Sequence, residues 1–316
     1  MLGKRQIPVY LFSGFLESGK TSFIRETLSE GQFEDGKQTL LIMCEEGEEE
    51  LDSGLLTKNK VIVKSIENEE EITESLFLEY DKSIRPHRVM IEANGTWDLN
   101  TIIEAFPDQW VMAEGVATID ASTFEMYLSN MKQMMMSQVT YADLVLFNRC
   151  LEQYDRAMFK RMVRAVNKRA QILFETPEGV VDDKVEEELP YDLNTEVIEV
   201  GEDDFGIWYL DAMEHLDVYK GKTVKFKGIV YHPRKGKEDV FVPGRFAMTC
   251  CADDVAFIGF PCKYEDAKFL SMKQWVTVTA KIGGAMSREY GKMAPVLYAT
   301  NVESAEPAKE ELVYFN

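Results

Sequence analysis

The stretch Gly14-Phe15-Leu16-Glu17-Ser18-Gly19-Lys20-Thr21 decides how the first half of this chain folds. It fits the pattern G-x-x-x-x-G-K-[ST], in which backbone N–H groups surround a phosphate at the start of a helix. The apolar run 9–12 before it predicts a buried strand, and residues 22–28 after it have helical spacing. A strand, this loop and a helix in succession predict a phosphate-binding loop, the P-loop.

The residue types in and after this loop suit nucleotide and Mg²⁺ chemistry. Lys20 is expected to reach the β- and γ-phosphates, and the Thr21 hydroxyl to ligate Mg²⁺. Glu92 ends the apolar run 88–92, where an acidic residue holds Mg²⁺ through water; a solvated acid at a strand end is the alternative. We therefore predict Lys20, Thr21 and Glu92 as catalytic residues. The predicted nucleotide-binding residues are Gly14, Glu17, Ser18, Gly19, Lys20, Thr21, Ser22, Gly95, Asn148 and Arg149.

Strands and helices alternate through the first 180 residues, which predicts a doubly wound α/β sheet. Five further apolar runs read as strands, near 39–44, 60–66, 115–120, 143–148 and 171–174. Ligands of such sheets lie at the carboxyl ends of the strands. Asn148 ends one of these strands, where a base-reading loop belongs; the alternative for it is a turn-forming Asn.

The charge of the chain changes along its length. The 316 residues carry a net charge of −20; residues from Val218 onward hold 15 basic and 11 acidic residues, or +4, which leaves −24 for residues 1–217. Such a contrast suggests two domains, and an acidic first portion repels nucleic acid. We expect a nucleotide-binding domain at 1–180, an acidic linker at 181–205 and a domain at 206–316. Period-two alternation in the last portion predicts a small all-β barrel of OB type.

Residues 5–180 resemble the CobW-type GTPases, a group that includes metallochaperones. The resemblance rests on residues 12–21, on Val89-Met90-Ile91-Glu92-Ala93-Asn94-Gly95-Thr96, and on the strands 117–121 and 141–148. It implies a P-loop NTPase fold, GTP and Mg²⁺ as ligands, and slow hydrolysis. Residues 41–48 are similar to the family's switch I strand and loop. Glu45 and Glu46 of that loop are candidate metal ligands, and a solvated acidic loop is the alternative.

The sequence departs from the family at two motifs. Where the family has Cys-x-Cys-Cys, this chain has acidic residues near 66–71. Thiolates bind soft cations such as Zn²⁺, whereas carboxylates bind harder cations. The family's zinc-binding role is therefore not expected for this chain on the basis of this motif. The base-reading motif Asn-Lys-x-Asp is here Asn148-Arg149-Cys150-Leu151. Leu151 cannot accept hydrogen bonds from guanine, which leaves ATP open beside GTP.

Residues 190–316 resemble the soluble C-terminal domain of YcgQ-like proteins, which are typically encoded beside predicted permeases. The resemblance rests on residues 219–231, 244–254 and 306–315. It implies a fold and a neighbourhood only. From the two resemblances together we expect a permease or a metalloprotein client as the partner. Cys250, Cys251 and Cys262 are candidates for a metal or redox site, with buried or surface cysteines as the alternative.

The sequence thus predicts a cytoplasmic, Mg²⁺-dependent GTP-binding protein with slow NTP hydrolysis, linked to metal homeostasis or to a permease. No apolar run approaches the ~20 residues of a membrane span, so no membrane insertion is expected. Two alternatives stay open: a non-catalytic nucleotide-sensing module, and nucleic-acid binding by the barrel. The second is disfavoured because solvated lysines explain the small positive charge. The sequence leaves the oligomeric state open.

Overall fold

The chain is described here from a computed structural model that covers residues 5–31, 33–45, 47, 49, 51–183, 185, 189–233, 238–248, 255–287 and 291–315. It divides into two compact units. The first comprises Met1–Arg156 and Val166–Val185, and the second comprises Ala157–Ala165 and Glu186–Asn316. The domain boundaries expected from the sequence, with a linker at 181–205, stay a prediction.

The first unit is built on an eight-stranded sheet with the order β3-β2-β4-β1-β5-β6-β7-β8. The first seven strands are parallel, and β8 runs antiparallel to β7. The strands are β1 (Ile7–Ser13), β2 (Thr39–Met43), β3 (Val61–Ser65), β4 (Arg88–Glu92), β5 (Trp110–Asp120), β6 (Leu144–Asn148), β7 (Gln171–Glu175) and β8 (Val181–Asp182). The predicted parallel α/β sheet is confirmed.

Helices connect these strands and bury the sheet on both faces. Successive residues of β1 enter different apolar clusters: Val9 and Leu11 join one, and Phe12 joins the other with Ile24 of the first helix. Neighbouring residues of a strand face opposite sides, so a strand covered on both sides must be apolar throughout. The helices of the first unit are α1 (Lys20–Ser29), α2 (Ser53–Lys58), α3 (Glu74–Ile84), α4 (Leu99–Glu104) and α5 (Phe124–Ser137). The next helix in the chain, α6 (Arg156–Val166), belongs mostly to the second unit.

The second unit has a separate sheet, as the sequence predicts. The pairings run from β10 through β11, β13, β15 and β14 back to β10, so these five strands form a closed ring. An OB-type topology stays a prediction. The elements are β9 (Val197–Glu199), α7 (Phe205–Glu214), α8 (Leu216–Tyr219), β10 (Thr223–Tyr231), β11 (Val240–Met248), β12 (Val255–Gly259), β13 (Cys262–Lys263), β14 (Trp275–Met286), β15 (Met293–Ser304) and β16 (Leu312–Val313).

Aromatic side chains from α7, from β10 and from the link between β12 and β13 pack together in the core of the second unit. The ring of Trp208 lies 4.8 Å from that of Phe226 and 5.4 Å from that of Phe260, centroid to centroid. Such pairs add to the free energy gained by burying their surface. Within the described part of the chain, no helix is long and apolar enough to cross a membrane.

Candidate functional site

The P-loop connects β1 to α1 at the carboxyl end of the sheet. Two of its glycines have backbone angles that other residues rarely adopt, φ 133° at Gly14 and φ 97° at Gly19. There is no room for a side chain at either position. A Cβ atom on Gly14 would lie 2.2 Å from the Thr118 carbonyl oxygen, and one on Gly19 would lie 2.5 Å from Nδ2 of Asn148. The loop therefore has its wound shape because both residues are glycine.

Lys20 points back over the loop and is almost completely buried. Its Nζ donates hydrogen bonds to the carbonyl oxygens of Gly14 and Phe15, both at 2.9 Å. Its third partner is Oε2 of Glu45, at 2.5 Å, and the two side chains are only 2% and 10% exposed. The loop after β2 thus delivers a carboxylate to the ammonium group that the sequence assigns to phosphate binding.

Thr21 and Glu92 meet beside Lys20. The Thr21 hydroxyl donates to Oε1 of Glu92 at 2.8 Å. Oε2 of Glu92 is buried and has no hydrogen-bond partner among the described residues. Burial raises the pKa of Glu92, although the bond from Thr21 and the charge of Lys20 oppose this. A hydroxyl and a buried carboxylate oxygen with free lone pairs match the oxygen ligands that Mg²⁺ prefers, so these residues fit the predicted cation.

These side chains surround a cavity of about 150 Å³. Its lining is Leu16, Glu17, Gly19, Lys20, Thr21, Ser22, Glu45, Gly47, Glu49, Glu92 and Arg149. Four of these are carboxylates and two are cations, so the described residues of the wall carry an excess of two negative charges. An anionic ligand in such a cavity needs a cation beside it.

Several predicted site residues support the loop without lining this cavity. The Ser18 hydroxyl lies 3.0 Å from the Thr118 hydroxyl, and Asn148 Nδ2 donates to the Ser18 carbonyl oxygen at 2.7 Å. Gly95 packs against the loop so closely that a Cβ atom would lie 2.5 Å from the Gly14 carbonyl oxygen. These residues hold the wound backbone in place.

Gln138, which sequence reasoning did not select, joins the loop to Gly95. It is fully buried. Its Oε1 accepts from the Gly14 N–H at 3.0 Å, and its Nε2 donates to the Gly95 carbonyl oxygen at 3.1 Å. The Ser13 hydroxyl donates to its backbone carbonyl oxygen at 2.7 Å. No motif marks this position, because it follows α5 in an ordinary helical pattern.

Arg149 spans the P-loop and the end of β5. Its Nη1 donates to the Glu17 carbonyl oxygen at 3.0 Å and to Oδ2 of Asp120 at 2.5 Å. Burial would raise the pKa of Asp120, but hydrogen bonds from Ser122 and Arg149 outweigh it and lower that pKa. Arg149 and Asp120 also line a second cavity of about 330 Å³, which shares Leu16, Glu17 and Arg149 with the first. Leu151 is 40% exposed.

The acidic loop after β2 contacts α1 at a second point. Oε2 of Glu49 accepts from the Ser22 hydroxyl at 2.6 Å and lies 3.3 Å from Nη1 of Arg25. Glu46, the other candidate metal ligand, lies outside the described residues. Across the described residues, no group of three or more His, Cys, Asp or Glu side chains is placed to hold a metal ion.

In the second unit, Cys262 is buried, and burial raises the pKa of its thiol to about 12. Cys250 and Cys251 lie outside the described residues. Two lysines of β10 have acidic partners: Lys225 lies 3.2 Å from Oε1 of Glu199, and Lys227 pairs with Glu202. The aromatic ring between them, Phe226, is buried. These contacts reduce the charge and the aromatic surface available to a nucleic acid.

Comparison with solved structures gives distant likenesses. A zinc-bound triple mutant of the YjiA GTPase is 18% identical, with 72% of this chain and 74% of that chain covered and a TM-score of 0.44. HypB from Helicobacter pylori in complex with nickel is 13% identical, with 54% and 80% covered and a TM-score of 0.34. FlhF complexed with GTP and Mg²⁺ is 13% identical, with 57% and 69% covered and a TM-score of 0.36. TM-scores below 0.5 support no further conclusion about this chain.

Comparison with protein families is decisive. Residues 177–315 match the DUF1980 C-terminal domain, and no match was found among curated proteins. Residues 8–174, more than half of the chain, match the nucleotide-binding domain of CobW, HypB and UreG. The predicted combination of a CobW-like first half with a second half from a separate family is confirmed. The chain belongs to the CobW/HypB/UreG family of P-loop nucleotide-binding proteins.

Proposed function

We propose that this protein is a Mg²⁺-dependent nucleotide-binding protein that binds GTP and hydrolyses it slowly. The observation that carries the proposal is the joint arrangement of Lys20, Thr21 and Glu92 at one cavity. Lys20 supplies an ammonium group, Thr21 a hydroxyl, and Glu92 a carboxylate oxygen that lacks a hydrogen-bond partner among the described residues. These are the groups that a nucleotide triphosphate and its cation require.

The need for Mg²⁺ follows from the charge of the cavity. Among the described residues, four carboxylates and two cations line it, and one of the cations, Arg149, is already paired with Asp120. Thr21 and Glu92 would hold the cation. When bound, Mg²⁺ neutralises charge on the β- and γ-phosphates. Lys20 would bind the same phosphates, and the backbone N–H groups of the loop would orient them at the start of α1.

The nucleoside would extend into the cavity of about 330 Å³ that contains Arg149, Asp120 and Glu17. The guanidinium of Arg149 is held through Nη1, which donates to both Glu17 O and Asp120 Oδ2, and its planar group offers a flat surface to a base. Leu151 offers no acceptor to the edge of guanine. We propose GTP because it is the nucleotide that the family resemblance implies, and the missing acceptor at Leu151 makes ATP the alternative.

The proposal is tested by titrating the purified protein with GTP, GDP and ATP, each with Mg²⁺ and with EDTA. We expect binding of GTP that is at least tenfold tighter with Mg²⁺. Equal affinity with and without Mg²⁺ would contradict the assigned roles of Thr21 and Glu92. A GTP-to-ATP affinity ratio near one would contradict the choice of GTP.

A second candidate function is nucleotide sensing without turnover. It is favoured by the two described carboxylates of the loop after β2, because both are already engaged. Glu45 is bound to Lys20, and Glu49 is bound to Ser22 and Arg25, so neither is placed to position a water molecule. Phosphate release separates the two functions: turnover equal to that of Lys20→Ala, with GTP still bound by the parent protein, supports sensing alone.

The family resemblance also supports a proposal for the cellular role of the protein. We propose a cytoplasmic protein that acts on a permease or on a metalloprotein client, in metal homeostasis. Co-purification from cells in the GTP-loaded and nucleotide-free states tests this. A membrane permease recovered in one state only supports the proposal, and identical partners in both states contradict nucleotide-dependent action.

A further inference from the structure

The phosphate site contains an anion that belongs to the chain itself. A lysine ammonium group has three N–H donors, and those of Lys20 are directed at Gly14 O, Phe15 O and Glu45 Oε2. All three donors are therefore occupied. Glu45 is the one charged partner among the three, and its 2.5 Å contact is the shortest. A phosphate oxygen can bind Lys20 only by replacing one of these acceptors.

The two carbonyl oxygens are poor candidates for replacement. They belong to the P-loop backbone, whose path is constrained by the close approach of Gly14 to Thr118 and of Gly95 to Gly14. Glu45 belongs instead to the loop after β2. Two negative groups at one ammonium group repel each other strongly in a buried site, so carboxylate and phosphate exclude each other there.

We propose that Glu45 is a resident anion of the phosphate site, which the β- or γ-phosphate of an entering nucleotide displaces from Lys20. This inference rests on the proposed nucleotide binding and assigns to Glu45 control of affinity and selectivity. A nucleoside monophosphate has no phosphate that reaches Lys20, so it cannot displace the carboxylate. The site thereby selects for di- and triphosphates. In the absence of nucleotide, Glu45 neutralises a lysine that would otherwise be buried without a countercharge.

Displacement of Glu45 also releases one of the two side-chain attachments that the described residues of its loop make. The other attachment is Glu49, which binds Ser22 and Arg25 of α1. Glu49 lines the same cavity as Glu45 and carries the same charge, but its partners do not include Lys20. Glu49→Gln is therefore a matched control: it removes one negative charge from the cavity wall and leaves the Lys20 contact in place.

The experiment is calorimetric titration of the parent protein, Glu45→Gln and Glu49→Gln with GMP, GDP and GTP in Mg²⁺. A hydrogen bond to a charged group corresponds to roughly ten- to hundredfold in affinity. We expect Glu45→Gln to bind GDP and GTP tighter by that factor, with GMP unchanged. Glu49→Gln should bind all three within about threefold of the parent protein, because only general charge repulsion is relieved.

Two results would overturn the inference. Equal affinities of Glu45→Gln and Glu49→Gln would show that contact with Lys20 is irrelevant. Weaker GTP binding by Glu45→Gln would make Glu45 a ligand of the bound cation instead of a competitor. Thermal unfolding verifies that Glu45→Gln is folded. If this variant does not fold, Glu45→Asp, which keeps the negative charge, replaces it in the titration. Glu45→Asp should bind GDP and GTP no tighter than the parent protein.

Lys20→Ala separates failure of this inference from failure of the proposed function. If the parent protein binds GTP, Lys20→Ala does not, and Glu45→Gln binds no tighter, only the inference about Glu45 fails. If neither the parent protein nor Glu45→Gln binds any nucleotide, the proposed function and the inference both fail.

Discussion

Gln138→Met tests whether the P-loop depends on a side chain that no motif reveals. The substitution keeps the approximate volume of the side chain but removes its bonds to the Gly14 N–H and the Gly95 carbonyl oxygen. Both backbone groups are then left buried without a partner, and each costs about 1–3 kcal/mol. The expected loss of local stability is therefore about 2–6 kcal/mol, since Gln138 is fully buried and water does not reach the two groups directly.

Hydrogen–deuterium exchange of the segment 12–20 measures this loss. A loss of about 2–6 kcal/mol corresponds to amide exchange that is faster by roughly 30-fold to 10⁴-fold. The increase is smaller where the segment already opens locally in the parent protein. Peptides from β14 (Trp275–Met286) in the second unit serve as the control and should exchange as in the parent protein. Acceleration of less than about fivefold in segment 12–20 would refute the bracing role of Gln138.

Three further predictions concern other groups. Glu92→Gln should remove the dependence of nucleotide affinity on Mg²⁺, measured as the ratio of Kd in EDTA to Kd in Mg²⁺; a ratio unchanged from the parent protein counts against Glu92 as a cation-binding residue. The hydrogen bond with Asp211 raises the pKa of His215. The pairing of protonated His215 with Asp211 therefore stabilises the fold below pH 6.5, and this stabilisation is lost as pH rises through the raised pKa. His215→Gln should therefore lower stability in urea unfolding by under about 1 kcal/mol at pH 6 and by less at pH 9, and an effect that grows with pH would contradict this. Burial raises the thiol pKa of Cys44 and of Cys262 to about 12, so both should resist iodoacetamide at pH 8 in the native protein, as read by mass spectrometry, and rapid labelling of either would contradict their burial.

The sequence was sufficient to predict the first unit because its signals are local. The glycines and Lys20 have fixed spacing, and the strands are short apolar runs between helical segments. The carboxyl ends of parallel strands meet at one edge, so the topology places Thr21 and Glu92 at the same edge of the sheet. The structure adds a direct hydrogen bond of 2.8 Å between them, and their roles at Mg²⁺ stay a prediction.

What the sequence could not predict depends on contacts between distant segments. Gln138 is 124 residues from Gly14. The two hydrogen bonds of its side-chain amide form because the end of α5 lies close to the loop. Glu45 was one of several similar acids, and only the three-dimensional structure shows it at Lys20. The pairing of Arg149 with Asp120 likewise joins the ends of two strands.

The second unit was predicted less completely. Period-two alternation is visible in β10 and β14, which pair with each other in register from Thr223 opposite Lys281 to Ile229 opposite Trp275. The short strand β13 carries no such signal, because two residues cannot show a period. Its place between β11 and β15 in the ring is a property of tertiary structure.

The central claim is that the P-loop of this chain binds nucleotide through Lys20. Its most direct test is the affinity of the parent protein and of Lys20→Ala for GTP in the presence of Mg²⁺, with folding of both verified by circular dichroism. Removing the buried ammonium group deletes charge-assisted hydrogen bonds to the phosphates, so we predict a loss of roughly a hundredfold in affinity. Equal affinity of the two proteins for GTP would contradict the claim.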